Sequence, residues 1–145
     1  MNAPRVGESA EYDRRVATGE MRTGVSDAGI AIVELAGEHD IYTAPKLRAT
    51  LGELVETSPG VVVDMSGASF VDSSILGALL NARQRAVDAR KGFAVCLRAD
   101  SDPAVRRVFD MTGLTETLPV LEDLDRALAT AAGGPPSANH AASAD

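Results

Sequence analysis

Asp72-Ser73-Ser74 places a carboxylate directly before two hydroxyls, ahead of an apolar periodic stretch. Aspartate and serine favour the start of a helix because their oxygens accept from N–H groups that have no partner in the first turn. The same position suits a phosphate. A seryl oxygen at a helix start stands where free N–H groups and the positive end of the helix dipole favour negative charge. Phosphorylation there leaves the backbone in place and adds a charge of about −1.5 to −2. That charge would arise beside Asp72 and, on the expected fold, near Asp40, and would repel an acidic or apolar partner surface.

Other reactive residue types have plainer explanations. Glu38-His39-Asp40 combines metal-ligand and acid–base types, but neighbours on a short loop rarely converge on one ion, and the second histidine, His140, lies in the C-terminal tail. Cys96 sits in an apolar run, where a thiol acts as a small hydrophobe. Asp72 and Ser73 lack a histidine or lysine base placed by any recognisable motif, which argues against a hydrolytic nucleophile. No Gly-x-x-x-x-Gly-Lys segment is present to cradle nucleotide phosphates. The chain is not expected to be an enzyme, and no cofactor or metal is expected.

Composition narrows the classes further. The 21 acidic and 14 basic residues leave a formal charge of −7, so the surface should repel a phosphate backbone, and nucleic acid is not expected as a partner. No run approaches the roughly 18–20 apolar residues that cross a bilayer, and residues 1–15 lack the apolar centre of a signal peptide. A soluble, cytoplasmic protein without membrane contact is the expectation. One cysteine cannot form an internal disulfide. A chain of 145 residues, 45% of them hydrophobic, builds one domain.

The elements that must position these residues follow from apolar spacing. Residues 1–15 read as a flexible arm, 16–132 as the folded domain, and 133–145, rich in Gly, Pro, Ser and Ala, as a disordered tail. Strands over 20–25 and 30–35 flank the turn-like Ser26-Asp27-Ala28-Gly29 and predict a hairpin. Gly37-Glu38-His39-Asp40 reads as a polar loop. Thr43 or Ala44 then caps a helix with Pro45 in its first turn and Leu47, Leu51, Leu54 and Val55 on one face. Val61–Met65 and Phe93–Leu97 read as strands buried on both faces, with Ser66–Ser69 as a loop after the first.

Between them, a long helix starts near Ser73 and ends before a Gly92 stop. Ile75, Leu76, Leu79, Leu80, Ala86 and Val87 form its stripe, and Arg83, Arg85, Arg90 and Lys91 oppose the negative end of its dipole. A strand–helix–strand crossover of this length implies parallel pairing. Helices from Asp102 or Pro103 to about Met111 and from about Asp123 to Ala132 follow, joined by a short strand near Thr115–Leu118. The order β-β-α-β-α-β-α-β-α predicts an α/β domain with a mixed sheet, an N-terminal hairpin, parallel crossovers and about four helices.

Three segments occur in order: Gly37-Glu38-His39-Asp40-Ile41-Tyr42-Thr43-Ala44-Pro45, Phe70-Val71-Asp72-Ser73-Ser74-Ile75-Leu76-Gly77 and Arg107-Val108-Phe109-Asp110-Met111-Thr112-Gly113-Leu114. Together they resemble the STAS domain family, and more narrowly its bacterial anti-sigma factor antagonists, over about residues 20–130. The resemblance implies a small STAS-like α/β domain acting in partner-switching control of transcription. In such proteins the unphosphorylated form binds an anti-sigma factor that is also a serine kinase, releasing a sigma factor. Phosphorylation by that kinase ends the binding, and a serine phosphatase restores it.

On this resemblance Ser73 is the phosphoacceptor, and Asp40, Asp72, Ser73, Ser74 and Ile75 form the partner-binding face. ATP and Mg²⁺ would belong to the kinase. One residue departs from the pattern: antagonists commonly have glycine where this chain has Ile75. That side chain either packs inward with the helix stripe or narrows the approach of a kinase. The alternative function is a constitutive STAS scaffold or ligand-sensing module without a phosphate cycle.

Overall fold

The computed structural model describes residues 19–133. The arm expected over 1–15, and all but the first residue of the tail expected over 133–145, lie outside the described residues. β1 (Glu20–Val25) and β2 (Ala31–His39) form the antiparallel hairpin. In its turn the Ser26 hydroxyl accepts the Ile30 N–H at 3.1 Å, and Gly29 takes φ +87°, a conformation open to glycine at little cost. β3 (Gly60–Val71), β4 (Gly92–Cys96) and β5 (Val120–Leu121) add in parallel, giving the sheet order β1-β2-β3-β4-β5. The helices are α1 (Ala44–Thr57), α2 (Ser73–Asp88), α3 (Pro103–Thr112), α4 (Leu114–Thr117) and α5 (Leu124–Ala132). The mixed α/β sheet is the expected one, with the one-turn α4 as an addition.

Alternation along β3 divides the interior in two. Val61, Val63 and Met65 enter the larger core with Leu47 and Leu51 of α1, Ile75 and Leu79 of α2 and Phe109 of α3. Val62 points the other way, to Ile30, Ala94 and Cys96 beneath Ala127 and Ala131 of α5. α1, α2, α3 and the one-turn α4 therefore cover one face of the sheet and α5 covers part of the other. Each fully buried leucine contributes about 1.5–3 kcal/mol relative to exposure.

Gly60 and Gly92 are register partners on β3 and β4, and together they form a slot for the last turn of α5. A Cβ on Gly92 would lie 2.9 Å from the Ala131 Cα and closer still to the Ala131 carbonyl. Gly92 is thus a close-approach glycine, not the helix stop that its position suggests. α2 ends at Asp88, and the chain turns out of it through Arg90 at φ +59°.

Other boundaries also differ from expectation, each for a visible reason. Residues 37–39 and 66–69, expected as loops, extend β2 and β3. They pair with each other through two register shifts, at Glu34/Ala36 and Gly37/Glu38, each with one extra residue in β3. Gly37 at φ +81° serves the second shift. The strand expected at Thr115–Leu118 is α4, because Leu114 and Leu118 bury one turn apart after the left-handed Gly113. β5 follows three residues later, where Val120 and Leu121 reach Val95 and Cys96. Lys91 does not serve its own helix. Its Nζ donates to the carbonyls of Val55, Glu56 and Ser58 at 2.8, 3.2 and 2.9 Å and so caps the C-terminus of α1.

Candidate functional site

The candidate site forms where β2 and β3 end level. His39 pairs with Val71, so the next residues, Asp40 and Asp72, leave the sheet side by side, separated by about one strand spacing of 4.8 Å. Asp72 caps α2, its Oδ1 accepting from the Ser74 N–H at 3.0 Å and the Ile75 N–H at 3.4 Å. The Ser74 hydroxyl donates to the same oxygen in a short bond. Burial pushes the Asp72 carboxyl up, but the Ser74 hydroxyl and the N–H groups of Ile75, Ser74 and Ile41 outweigh it and hold the group below its usual 3.8.

These bonds separate the two serines. Ser74 is committed to Asp72, whereas Ser73, the first residue of α2, is exposed and its hydroxyl has no hydrogen bond among the described residues. Across from it the Asp40 carboxylate accepts the Tyr42 N–H at 2.9 Å. The Asp40 N–H donates to Thr43 Oγ1 at 3.1 Å, and the Asp40 carbonyl accepts from the N–H groups of Thr43 and Ala44. That turn leads into α1 with Pro45 in its first turn.

His39 is a structural residue. Its ring is 1% exposed, with Nε2 donating to the carbonyls of Glu20 and Ala36 at 3.0 Å each and Nδ1 against Thr43 Oγ1 at 3.2 Å. It ties β1, β2 and the Asp40 turn together, with both nitrogens engaged. Ile75, placed on the partner face by resemblance, is 0% exposed within the main core. It supports the face from below and offers it no surface. Cys96 is buried, and its thiol is pushed up first by burial and then by the charge of Asp64, which keeps it protonated.

The same end of the sheet carries apolar side chains that the sequence reading left out. Tyr42 is 87% exposed, Ile41 63% and Phe70 48%. Ile41 and Tyr42 stand between Asp40 and Thr43 in a turn with no packing role for them, and that mismatch is their signal in the sequence. A second polar feature, a cleft of about 250 Å³ lined by Arg22, Glu34, Asp64, Ser66 and Arg98, lies along the middle of the sheet.

Removing the Asp72 side chain leaves two helix-start N–H groups without their acceptor, so Asp72→Ala should cost about 1–2 kcal/mol in urea unfolding. Asp72→Asn keeps a cap but loses the charge. Because the folded-state value is depressed, the ionic contribution is complete above the unfolded value and disappears as pH falls through the folded one. The stability gap between wild type and Asp72→Asn should therefore be full at about pH 6 and shrink as the pH falls below the unfolded value, as unfolding curves across that range would show.

Comparison with known proteins agrees with this fold. The STAS domain family matches residues 24–127. An anti-sigma F factor antagonist of Paenibacillus polymyxa is 33% identical over 103 residues, 69% of this chain and 85% of that protein. The crystal structure of an anti-sigma factor antagonist from Mycobacterium paratuberculosis superposes with a TM-score of 0.66 at 31% identity, covering 78% of this chain and 93% of that one. The Bacillus cell fate determinant SpoIIAA in its phosphorylated form shares the fold, with a TM-score of 0.58 at 17% identity over 74% of this chain and 94% of its own. With the family matched over most of its described length and its sheet and helices in the same arrangement, the chain belongs to the STAS domain family, among relatives that are anti-sigma factor antagonists.

Proposed function

We propose that this protein is an anti-sigma factor antagonist that binds an anti-sigma factor with serine kinase activity while Ser73 is unmodified, and so releases a sigma factor. Phosphorylation of Ser73 ends the binding, and a serine phosphatase restores it. The chain acts as a protein ligand in the cytoplasm and catalyses nothing itself. One observation carries this reading above the rest: Ser73 presents an uncommitted, exposed hydroxyl at the start of α2, on the element that follows β3 directly and level with Asp40.

The physical consequences fit a switch. Asp72 already satisfies the first N–H groups of α2, so a phosphate on Ser73 is not needed to hold the helix and alters the surface instead. Ile41 and Tyr42 supply exposed apolar area beside that charge, the combination of anchors and charge that protein interfaces use. What supports the switch over a constitutive scaffold is the burial of Ile75. The departure from the family pattern leaves the approach to Ser73 as open as its neighbours make it.

The test is intact-mass and peptide mass spectrometry after incubation with serine-kinase anti-sigma factors from the same cells and ATP. One phosphate on the Ser73 peptide, missing from Ser73→Ala, is the expected result. A kinase that binds the chain tightly but leaves Ser73 unmodified would transfer the reading to the constitutive scaffold.

A further inference from the structure

We propose that Arg48 of α1 is the counter-charge that receives a phosphate on Ser73, an inference that rests on the reading of Ser73 as the phosphoacceptor. α1 and α2 both begin at the carboxyl ends of adjacent parallel strands, β2 and β3, and so run side by side in the same direction. Arg48 stands four residues after Ala44, the first residue of α1. Gly77 stands four residues after Ser73, the first residue of α2. The two positions share a level, one turn or about 5.4 Å into each helix.

At that level the Arg48 guanidinium lies over the bare backbone of Gly77, with Nη2 3.2 Å from the point that a Cβ would occupy. The absence of a side chain at Gly77 provides the seat. Side chains on a helix lean toward its N-terminus, which directs this cation toward the turn that carries Ser73.

A second arginine shows what is particular about the first. Arg85 of α2 reaches back over Gly52 of α1 in the same manner, but it is held by Glu56 at 3.4 Å. Arg48, exposed on the surface, has no carboxylate or carbonyl partner among the described residues. The nearest carboxylates of the site are engaged elsewhere, Asp72 with the N–H groups of α2 and Asp40 with its own turn. An uncommitted guanidinium about one helical turn from a phosphoacceptor is well matched to a phosphate, since its planar fork can pair two phosphate oxygens at once.

Phosphorylation then does two things to the face. It adds negative charge beside Asp40 and Asp72, and it draws that charge onto the seam between α1 and α2, where the cation is no longer available to a partner. The groups around the phosphate act in opposite senses on its second ionisation. Asp40 and Asp72 raise it, while Arg48 and the start of α2 lower it.

The experiment places phosphoserine at position 73 during translation, which makes it independent of any kinase, and titrates the phosphate by ³¹P NMR. In Arg48→Met the second pKa should rise by about half a unit to one unit over wild type, and Arg48→Lys should recover part of the difference. The shift should shrink between about 0.05 M and about 1 M salt, as a direct charge pair requires. Amide spectra confirm that each variant is folded. Superimposable titrations of wild type and Arg48→Met would overturn the role of Arg48, even if a kinase were found to modify Ser73. Absence of any kinase-dependent phosphate in the mass spectra would overturn the phosphoacceptor reading and leave the measured pairing standing as a property of the surface.

Discussion

Phosphoserine at position 73 should weaken binding to the kinase anti-sigma factor by roughly 100-fold, about 2.7 kcal/mol. The new charge meets two carboxylate-bearing neighbours, Asp40 and Asp72, so the phosphorylated face becomes strongly anionic around the exposed Ile41 and Tyr42. A partner surface that accepts the unmodified face must then desolvate a dianion or meet it with positive charge it was not built to carry. Ser73→Glu, with a single charge on a flatter group, should lose about tenfold, and Ser73→Ala should stay within about threefold of wild type. Calorimetric titration at two ionic strengths separates the causes. A charge mechanism narrows the gap as salt rises, while a purely steric one leaves it unchanged. Equal affinities for the alanine, glutamate and phosphorylated forms would remove the switch altogether.

Gly92→Ala should be among the most damaging single-methyl additions in the protein. The new carbon falls on backbone atoms of Ala131, and backbone cannot rotate aside as a flexible side chain can. α5 would have to lift from the sheet, loosening Ala127 and Ala131 over Ile30, Val62 and Ala94. A cost of about 2–3 kcal/mol is expected, a drop of about 10 °C in thermal midpoint for a domain of this size. Gly24→Ala supplies the control. It adds the same methyl to β1, where nothing lies within 4 Å of the new carbon, and should change stability by less than about 1 kcal/mol.

The hairpin, α1, α2, α3, α5 and the strands through Val61–Met65 and Phe93–Cys96 are legible because each helix bears its own apolar period and each strand its own apolar run. Asp72, Asp102 and Asp123 each cap a helix with a side-chain acceptor. What escapes the reading depends on partners distant in the chain. Glu38 and His39 are polar, yet they form strand because Phe70 and Val71 pair with them, and His39 is buried because Glu20, Ala36 and Thr43 engage its ring. Lys91 serves α1, some 35 residues earlier in the chain, instead of the helix beside it. Leu114 and Leu118 stand at helical spacing, but one such pair is too few to distinguish one turn of helix from a strand.

At the site, the resemblance already singles out Ser73, whereas the commitment of the Ser74 hydroxyl to Asp72 is a matter of geometry that no pattern of residue types contains. Whether Ile75 turns inward or outward is likewise decided by the phase of α2 against the sheet. Ile41, Tyr42 and Arg48 belong to the surface, where periodicity carries no signal.

Among the described residues, the sheet beyond Ala36 and Gly67 consists of β2 and β3 alone, since β1 pairs as far as Ala36 and β4 as far as Asp64. The two strands continue as a paired tongue, one bearing the Asp40 turn and the other the Ser73 helix start. Their backbone hydrogen bonds connect the two halves of the site to each other more directly than either half is connected to the rest of the sheet. A tilt imposed on one is therefore transmitted to the other, so a kinase acting on Ser73 as proposed would encounter target and neighbouring anion as a single mechanical piece. Sequence drift in β5 or α5 can then remodel the remainder of the domain while this piece keeps its internal spacing.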